Sequence, residues 1–285
     1  AHQLREQGNL EQDQSNREAA QTYYEAALSI YQQHHLTQEA AITLGNLAGC
    51  LRAQGKTSEA LSMFKTALQQ LDADQAVVHA ATLRNGLGNV YNDCGRTDEA
   101  IACFLESIAL HRRIGDRKRE AEGLCNLGLA CNSNGEFTDA ARYLHQAMDL
   151  SRELGIPGLR ATCLGNLGLV YLALNDLDRA AAYSRDASDL CRTVNHFAGA
   201  GVFRGNYGEA LFKQGHIAQS IPVFQDAIDL CSENYPVGRG VYSGSMALAL
   251  AHLSRFDDAY RCLEVAAPLV EHHPEERITV LIKQA

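Results

Sequence analysis

Small residues recur along the chain at a fixed spacing in three columns. The first column has successive members about 40 residues apart: Gly8, Ala48, Gly88, Gly128, Gly168, Gly208 and Ala247. A second column of small residues follows twelve positions later: Ala20, Ala60, Ala100, Ala140, Ala180, Ser220 and Ala259. Between them lies a column of helix-breaking residues: Ser15, Gly55, Gly95, Gly135, Asn175, Gly215 and Ser254. Such a period indicates repeated structural units.

Each unit is predicted to be two helices joined by a turn. Helix A carries the first column, runs from about 40 to 53 in the clearest copy, and ends where Gly55 permits a left-handed backbone. Helix B carries apolar residues at helical spacing, such as Phe64 and Ala67. We expect Ser58 to cap helix B, as would the residues at the equivalent positions Asp98, Thr138, Asp178 and Asp257.

The small columns predict close approach of the two helices. A glycine within a helix costs about 1 kcal/mol of helix propensity, so its repetition at one position requires a packing reason. In the fifth unit Ser184 replaces the aromatic residue of helix B. We therefore expect the seam between helices A and B to be softest there.

The pattern resembles the tetratricopeptide repeat (TPR), with its Leu-Gly-x-x-Tyr motif followed by Ala and Phe. Leu87-Gly88-Asn89-Val90-Tyr91 followed by Ala100 and Phe104 matches this signature, and Leu167-Gly168-Leu169-Val170-Tyr171 matches its first part. The resemblance implies an all-α fold, a right-handed α-solenoid (superhelix) of about seven TPR helix-turn-helix repeats. Residues 1–285 would form a single TPR array with approximate repeats 1–36, 37–76, 77–116, 117–156, 157–196, 197–235 and 236–274.

The period of about 40 residues is longer than the roughly 34 residues usual in this family. With its Leu-Gly-Asn triplets, the pattern is similar to a subclass that includes the Leu-Gly-Asn repeat protein, kinesin light chains and bacterial signalling arrays. We expect the extra residues to lengthen helix B and the joint to the next repeat. Residues 275–285 are expected to start a truncated eighth repeat, which favours a fragment of a larger signalling or regulatory protein.

A column of carboxamides marks the candidate binding groove. Two residues before the first small column stand Asn46, Asn126, Asn166 and Asn206, although asparagine is a poor residue for the middle of a helix. The resemblance implies that helix A lines the concave face and that this ladder holds an extended peptide or a partner helix. Neighbouring candidates are Asn85, Asn89, Arg84, Arg204, Glu122 and Glu209. Alternatively, each asparagine bonds the adjacent helix and only sets the repeat angle.

The composition of the chain limits the classes of partner that it can bind. The chain has 25 basic and 34 acidic residues, and this net charge of −9 argues against nucleic acid. Apolar stretches are too short for a membrane span. Nine cysteines without a C-x-x-C pair are typical of a reduced, cytoplasmic chain with no metal site. No catalytic constellation stands out, so we predict no enzyme activity and no cofactor.

The leading hypothesis is therefore a protein-interaction scaffold or sensor domain whose partner is a protein or peptide. A competing hypothesis is a structural spacer or an oligomerisation array, which would allow a homo-oligomer. A third hypothesis is a cis-regulatory domain of an enzyme whose catalytic part lies outside this chain.

Overall fold

A computed structural model describes residues 1–14, 16–71, 76–231 and 235–271. In these ranges the regular secondary structure is entirely α-helical, and the predicted all-α class is confirmed. The chain divides into two compact units, residues 1–136 and 137–285. Unit 1 holds α1 His2–Asp13, α2 Arg17–Gln33, α3 Thr37–Ala53, α4 Thr57–Gln70, α5 Val77–Asp93, α6 Thr97–Ile114 and α7 Arg117–Ser133. Unit 2 holds α8 Phe137–Glu153, α9 Pro157–Ala173, α10 Leu177–Thr193, α11 Phe197–Lys213, α12 Ile217–Cys231, α13 Pro236–His252 and α14 Phe256–Leu269.

Odd-numbered helices are the A helices of the repeats and even-numbered helices are the B helices. The helix A predicted over 40–53 begins earlier, at Thr37, and ends at Ala53 as expected. Ser15 and the predicted eighth repeat at 275–285 lie outside the described residues. The prediction of one array over 1–285 stays a prediction.

The length of the fifth repeat is shared equally between its two helices. Helices α8, α9 and α10 each contain 17 residues, and three residues separate each helix from the next. The expectation that helix B and the joint take up the extra residues stays a prediction. The turns before and after α9 are equally short, so one helix with its turn makes up half of the period there.

Each turn that lies wholly within the described residues contains one residue with a left-handed backbone. The predicted breaker column is confirmed at six positions, with positive φ at Gly55, Gly95, Gly135, Asn175, Gly215 and Ser254. A second column lies between repeats, with positive φ at His35, Gly115, Gly155 and Asn195. Left-handed geometry suits glycine and asparagine, because other side chains pay a steric penalty there.

The capping prediction is wrong at Ser58, and also at the equivalent positions Asp98, Thr138, Asp178 and Asp257, each of which is the second residue of its helix. Helix α4 begins at Thr57 after Lys56, whose side chain makes no capping hydrogen bond, so Ser58 lies within the first turn. Side-chain caps form at Asp116 and Asp176, which accept hydrogen bonds from the backbone N–H of the third residue that follows. Helix starts in this chain therefore depend mainly on tertiary packing.

Helices A and B of a repeat meet at the first small column, as predicted. A Cβ atom added at Gly88 would lie 2.7 Å from Cε1 of Phe104, and one at Gly208 would lie 2.7 Å from Phe224. The glycines therefore make room for the aromatic rings of helix B.

The fifth repeat fills the same seam differently. Ser184 is fully buried, and a Cβ atom at Gly168 would lie 2.3 Å from its Oγ and 3.3 Å from its backbone nitrogen. The preceding residue, Tyr183, stacks on Tyr171 with ring centroids 5.4 Å apart. The backbones of the two helices approach closely because a serine replaces the ring.

Successive A helices contact one another within each unit. The pairs are α1–α3, α3–α5 and α5–α7 in unit 1, and α9–α11 and α11–α13 in unit 2. Glycine again permits the approach: a Cβ atom at Gly45 would lie 2.1 Å from Leu83, and one at Gly165 would lie 2.0 Å from Phe203. The A helices thus form a layer, and we call its exposed surface the A face of each unit.

Candidate functional site

The carboxamide ladder lies at the middle of the A helices. Asn46, Asn126, Asn166 and Asn206 are all half-buried, whereas the residues that follow the first three, Leu47, Leu127 and Leu167, are buried. The ladder therefore stands at the border between the core and the A face. From there a side-chain amide can contact both a neighbouring helix and a molecule bound on the A face.

Two of these asparagines bond the preceding A helix. Nδ2 of Asn46 donates to Oδ1 of Asn9 at 3.0 Å, and Nδ2 of Asn126 donates to Oδ1 of Asn85 at 3.3 Å. This is the contact that a purely structural role predicts. Among the described residues, the Oδ1 atoms of Asn46 and Asn126 receive no hydrogen bond, so both remain available as acceptors.

Asn206 differs from those two residues. Its side chain makes no hydrogen bond within the described parts of the chain, although it is half-buried in the middle of α11. A half-buried amide of this kind can bond water or a ligand.

Two predicted groove residues, Arg84 and Arg204, pair with carboxylates. They occupy a column whose other members include the buried residues Leu44, Leu124 and Leu164. Nε of Arg204 lies 2.7 Å from Oδ2 of Asp226, and Arg84 pairs in the same way with Glu106. Each arginine thus contacts helix B of its own repeat, and its role in binding stays a prediction.

The remaining predicted residues stay candidates. Glu122 lies 4.0 Å from Nζ of Lys118 on its own helix, and Asn89 is half-buried. Oε1 of Glu209 accepts a hydrogen bond from Oγ of Ser245 at 3.0 Å. Glu209 also borders an apolar cavity of about 190 Å³, whose walls include Phe212, Phe224 and Leu248.

A larger cavity opens on the A face of unit 1. It has a volume of about 400 Å³ and draws residues from four successive A helices. The lining side chains are Arg5, Glu6, Asn9, Gln12, Ile42, Asn46, Val78, His79, Thr82 and Arg119, together with Tyr24 from helix B of the first repeat. Asn46 is thus the ladder residue that the structure places in a cavity.

Sequence reasoning missed the basic residues of this cavity. Arg5, His79 and Arg119 lie on three different A helices, and each comes from a different repeat. His79 and Arg119 share one column of the repeat period, and Arg5 lies in another. The repeat period of the sequence therefore already placed His79 and Arg119 at equivalent positions.

Arg5 is a largely buried positive charge in the wall of the cavity. Its side chain is only 16% exposed; Nε lies 3.9 Å from Oε1 of Glu6, and the guanidinium carbon lies 5.8 Å from the centre of the Tyr31 ring. Nη1 is buried and finds no hydrogen-bond acceptor among the described residues. Desolvation, and next the positive charge of Arg5, lower the pKa of His79.

The described residues offer little for covalent or metal chemistry. Burial raises the pKa of the Cys103 and Cys231 thiols to about 11, which disfavours the nucleophilic thiolate. No group of three or more metal-ligating side chains occurs among the described residues. None of the described helices combines the length and the apolar character needed to cross a membrane.

A comparison with models of known protein families identifies the family of this chain. The model of the tetratricopeptide repeat matches residues 2–73, 79–153 and 119–193, which is more than half of the chain. The chain belongs to the tetratricopeptide repeat family. The TPR resemblance in the sequence is therefore confirmed. No curated protein sequence matches the chain.

Solved structures of TPR proteins share the fold at low sequence identity. The apo form of RapI is 14% identical with a TM-score of 0.74, covering 100% of this chain and 99% of that chain. A Rap protein complexed with competence and sporulation factor is 15% identical with a TM-score of 0.71, covering 96% of this chain and 76% of that chain.

A third similar structure belongs to a larger protein. It is a signal transduction ATPase with numerous domains and a TPR sensor from Pyrococcus horikoshii, 14% identical with a TM-score of 0.80. The match covers 98% of this chain and 43% of that chain. At these identities the likeness shows the fold alone.

Proposed function

We propose that this TPR protein is an interaction scaffold that holds an extended peptide segment of a partner protein on the A face of a unit. Membership in the TPR family supports the scaffold role. The observation that carries the peptide hypothesis is the ladder: asparagine recurs at a half-buried, mid-helix position that opens on the A face. Its Oδ1 atoms at Asn46 and Asn126, and the whole amide of Asn206, suit the backbone of a peptide.

Two structurally similar proteins also support the peptide hypothesis. One Rap protein was crystallised with competence and sporulation factor, and the Pyrococcus horikoshii ATPase carries a TPR sensor. A cytoplasmic protein partner also agrees with the net charge of −9 and with nine cysteines, six of them buried. A sensor role would follow if binding on the A face altered another part of a larger protein.

Backbone contacts alone are too weak for a specific complex. One peptide hydrogen bond contributes about 0.5–1.5 kcal/mol, whereas a micromolar complex requires about 8.2 kcal/mol. Side-chain cavities must therefore add affinity. The apolar cavity beside Glu209 and the polar cavity around Arg5 supply such places within unit 2 and unit 1, respectively.

The test starts from selection of binding peptides from a random display library by the whole chain. We expect selected peptides to bind with micromolar Kd in calorimetry, and Asn206→Ala to weaken binding by about tenfold. Gln146→Ala is the matched control, since it removes an exposed amide from helix B of unit 2. Equal affinity for Asn206→Ala and the unmodified chain, or no selectable peptide, would overturn the proposal.

The competing hypothesis, a spacer or oligomerisation array, predicts a different result. Equilibrium sedimentation would then show a concentration-dependent dimer, and no peptide would be captured. Retained capture by a monomeric chain instead favours the scaffold.

A further inference from the structure

Apolar residues line one edge of unit 2, at the turns between helices A and B. The helices B of this unit begin with Phe137, Leu177, Ile217 and Phe256. Those of unit 1 begin with Arg17, Thr57 and Thr97. The residue that follows helix A is Leu174, Gln214 or Leu253 in unit 2, whereas unit 1 has Gln14, Gln54, Cys94 and Asn134. We call the row formed by Leu174, Leu177, Ile217, Leu253 and Phe256 the turn edge.

Packing within unit 2 accounts for only part of the turn edge. Ile217 is half-buried and packs against the core cluster around Phe224. In contrast, Leu174 is 45% exposed, Leu253 41% and Phe256 57%. Single exposed leucines are common on protein surfaces, but these residues recur at equivalent positions of neighbouring repeats. The first turn of a helix favours capping and acidic side chains, so the helix start does not explain the apolar residues either.

The turn edge continues from one repeat to the next. A shallow cavity of about 650 Å³ spans the turns of the fifth and sixth repeats, and its walls include Leu174 and Leu177. Nε2 of Gln214 donates to Oδ1 of Asp178 at 2.7 Å and so joins the same two turns. The last turns of α11 and α13 adjoin through an edge-to-face contact of two rings. The apolar side chains of three successive turns therefore lie along one surface.

The backbone of these turns favours a helical partner over an extended one. The N–H groups of Asn175, Asp176, Gly215 and His216 all donate to carbonyl oxygens of the preceding helix A. They are therefore unavailable to an extended segment, whose binding by strand addition depends on free backbone groups. An amphipathic helix satisfies its own backbone and needs an apolar surface for its stripe of apolar side chains.

The charges beside the turn edge favour a basic partner. Asp178 and Asp257 are exposed, and neither pairs with a cation among the described residues. At the starts of α10 and α14, arginines pair instead with other aspartates. Two carboxylates thus flank the apolar row, where lysine or arginine side chains of a partner would complement them.

We propose that the turn edge of unit 2 is a second interaction surface, and that it takes an amphipathic helix of a partner protein with basic residues beside its apolar stripe. Apolar side chains of that helix pack on Leu174, Leu177 and Phe256, and its cations pair with Asp178 and Asp257. The surface lies at the ends of the helices and is separate from the A face. Unit 2 could therefore hold a helix and an extended segment at the same time.

The direct test uses two acetylated and amidated helical peptides of about 18 residues that share one leucine stripe. One peptide carries lysine beside the stripe, and the other carries glutamate. We expect the Leu/Lys helix to bind the whole chain with micromolar Kd in fluorescence anisotropy. The Leu/Glu helix should bind at least about tenfold more weakly, as should a Leu/Lys peptide whose scrambled order has no stripe.

Substitutions locate the bound helix. The double variant Leu174→Gln and Phe256→Gln should weaken binding of the Leu/Lys helix at least about tenfold. Leu10→Gln with Leu105→Gln is the matched control, since it removes two exposed leucines of unit 1 and should leave the Kd unchanged. Asn206→Ala should also leave it unchanged, because that residue belongs to the A face. If the double variant fails to fold by circular dichroism, methyl NMR of the unmodified chain decides, with shifts expected along the turn edge.

The charges and the competing occupant are tested separately. Asp178→Asn with Asp257→Asn should weaken binding by about threefold and reduce its dependence on salt. Equal binding of the Leu/Lys and Leu/Glu helices, unchanged binding by the folded Leu174→Gln and Phe256→Gln variant, or weaker binding by Asn206→Ala would overturn the proposal. So would equilibrium sedimentation in which the unmodified chain dimerises and that double variant stays monomeric, since a second copy would then cover the turn edge.

Discussion

Gly205 of α11 faces the ring of Tyr242 of α13 so closely that a Cβ atom at position 205 would lie 2.0 Å from Cε1 of that ring. Tyr242 is buried, and its hydroxyl donates to the carbonyl oxygen of Val202 at 3.1 Å. The ring is therefore fixed between two A helices. The absence of a side chain at Gly205 sets how closely these two repeats stack.

Replacing Gly205 tests this contact. We expect Gly205→Ala to lower the free energy of unfolding by about 1–3 kcal/mol, because overpacking outweighs the gain in helix propensity. Gly158→Ala is the matched control, since a Cβ atom there meets nothing within 4 Å on helix α9. Urea unfolding should show the control unchanged or more stable. A Gly205→Ala variant as stable as the control would show that Tyr242 moves without cost.

Two buried serines on α10 should respond oppositely to removal of their hydroxyl groups. Ser184 and Ser188 are both fully buried, but Oγ of Ser188 donates to the carbonyl oxygen of Ala200 at 2.9 Å, and Oγ of Ser184 has no hydrogen-bond partner among the described residues. We expect Ser184→Ala to stabilise the chain by about 1 kcal/mol and Ser188→Ala to destabilise it by about 0.5–1.5 kcal/mol. Thermal unfolding of both variants measures the difference, and equal shifts of Tm would contradict it.

Restoring the aromatic residue at Ser184 should be harmful despite its presence in other repeats. Because Gly168 and Ser184 already approach closely, Ser184→Phe should cost about 1–3 kcal/mol or more. Amide hydrogen exchange of α9 and α10 checks this. Slower exchange in the variant would mean that the fifth seam is loosely packed.

Alanine substitutions of the ladder asparagines should change the free energy of unfolding to different extents. Asn206→Ala removes no hydrogen bond and gains up to about 0.7 kcal/mol of helix propensity. Asn126→Ala gains the same propensity but loses the bond to Asn85, which contributes about 0.5–1.5 kcal/mol, so its net effect should be near zero or negative. Chemical denaturation of both variants measures this order. A destabilised Asn206→Ala would assign that residue to the fold.

Acidic pH should lower the free energy of unfolding of unit 1 through protonation of His111. This side chain is almost fully buried at the end of α6; desolvation lowers its pKa, while Asp116, 3.8 Å away, opposes the shift. Because the unfolded chain takes up the proton more readily, the contribution to stability is complete above about pH 6.5 and is lost as the pH falls below it.

The measurement is the free energy of unfolding between about pH 7.5 and about pH 5. His111→Gln should flatten this dependence. Asp116→Asn should steepen it, since the opposing charge is gone while the amide oxygen of asparagine can still cap α7. A His111→Gln variant with the unmodified slope would show that other groups cause the acid sensitivity.

The sequence predicted the parts of the fold that depend on one residue at a time. Six of the expected breaker residues adopt positive φ, a geometry that glycine and asparagine adopt at a lower steric cost than most other residues. The turn column between repeats, with Gly115 and Gly155, was equally visible but was missed. Arg84 and Arg204 share a column with leucines, which is visible in the sequence, but the carboxylates with which they pair are not.

The cavity around Arg5 could not be predicted in the same way. It depends on how four A helices align sideways, and that alignment follows from interlocking contacts such as Gly45 against Leu83. Periodicity shows which residues share a helix face but not how far one helix slides along its neighbour. Long-range geometry of this kind requires coordinates.

The equal length of the two helices constrains how such a chain changes in evolution or in design. Deleting one helix with its turn removes half a repeat and keeps every later left-handed residue in phase. Such a deletion would, however, turn each following A helix into a B helix and each following B helix into an A helix. Half-exposed amides would then face the core, and large aromatic rings would stand where glycines now leave room for a neighbouring helix. Duplications and deletions should therefore be accepted as whole repeats and rejected as half repeats.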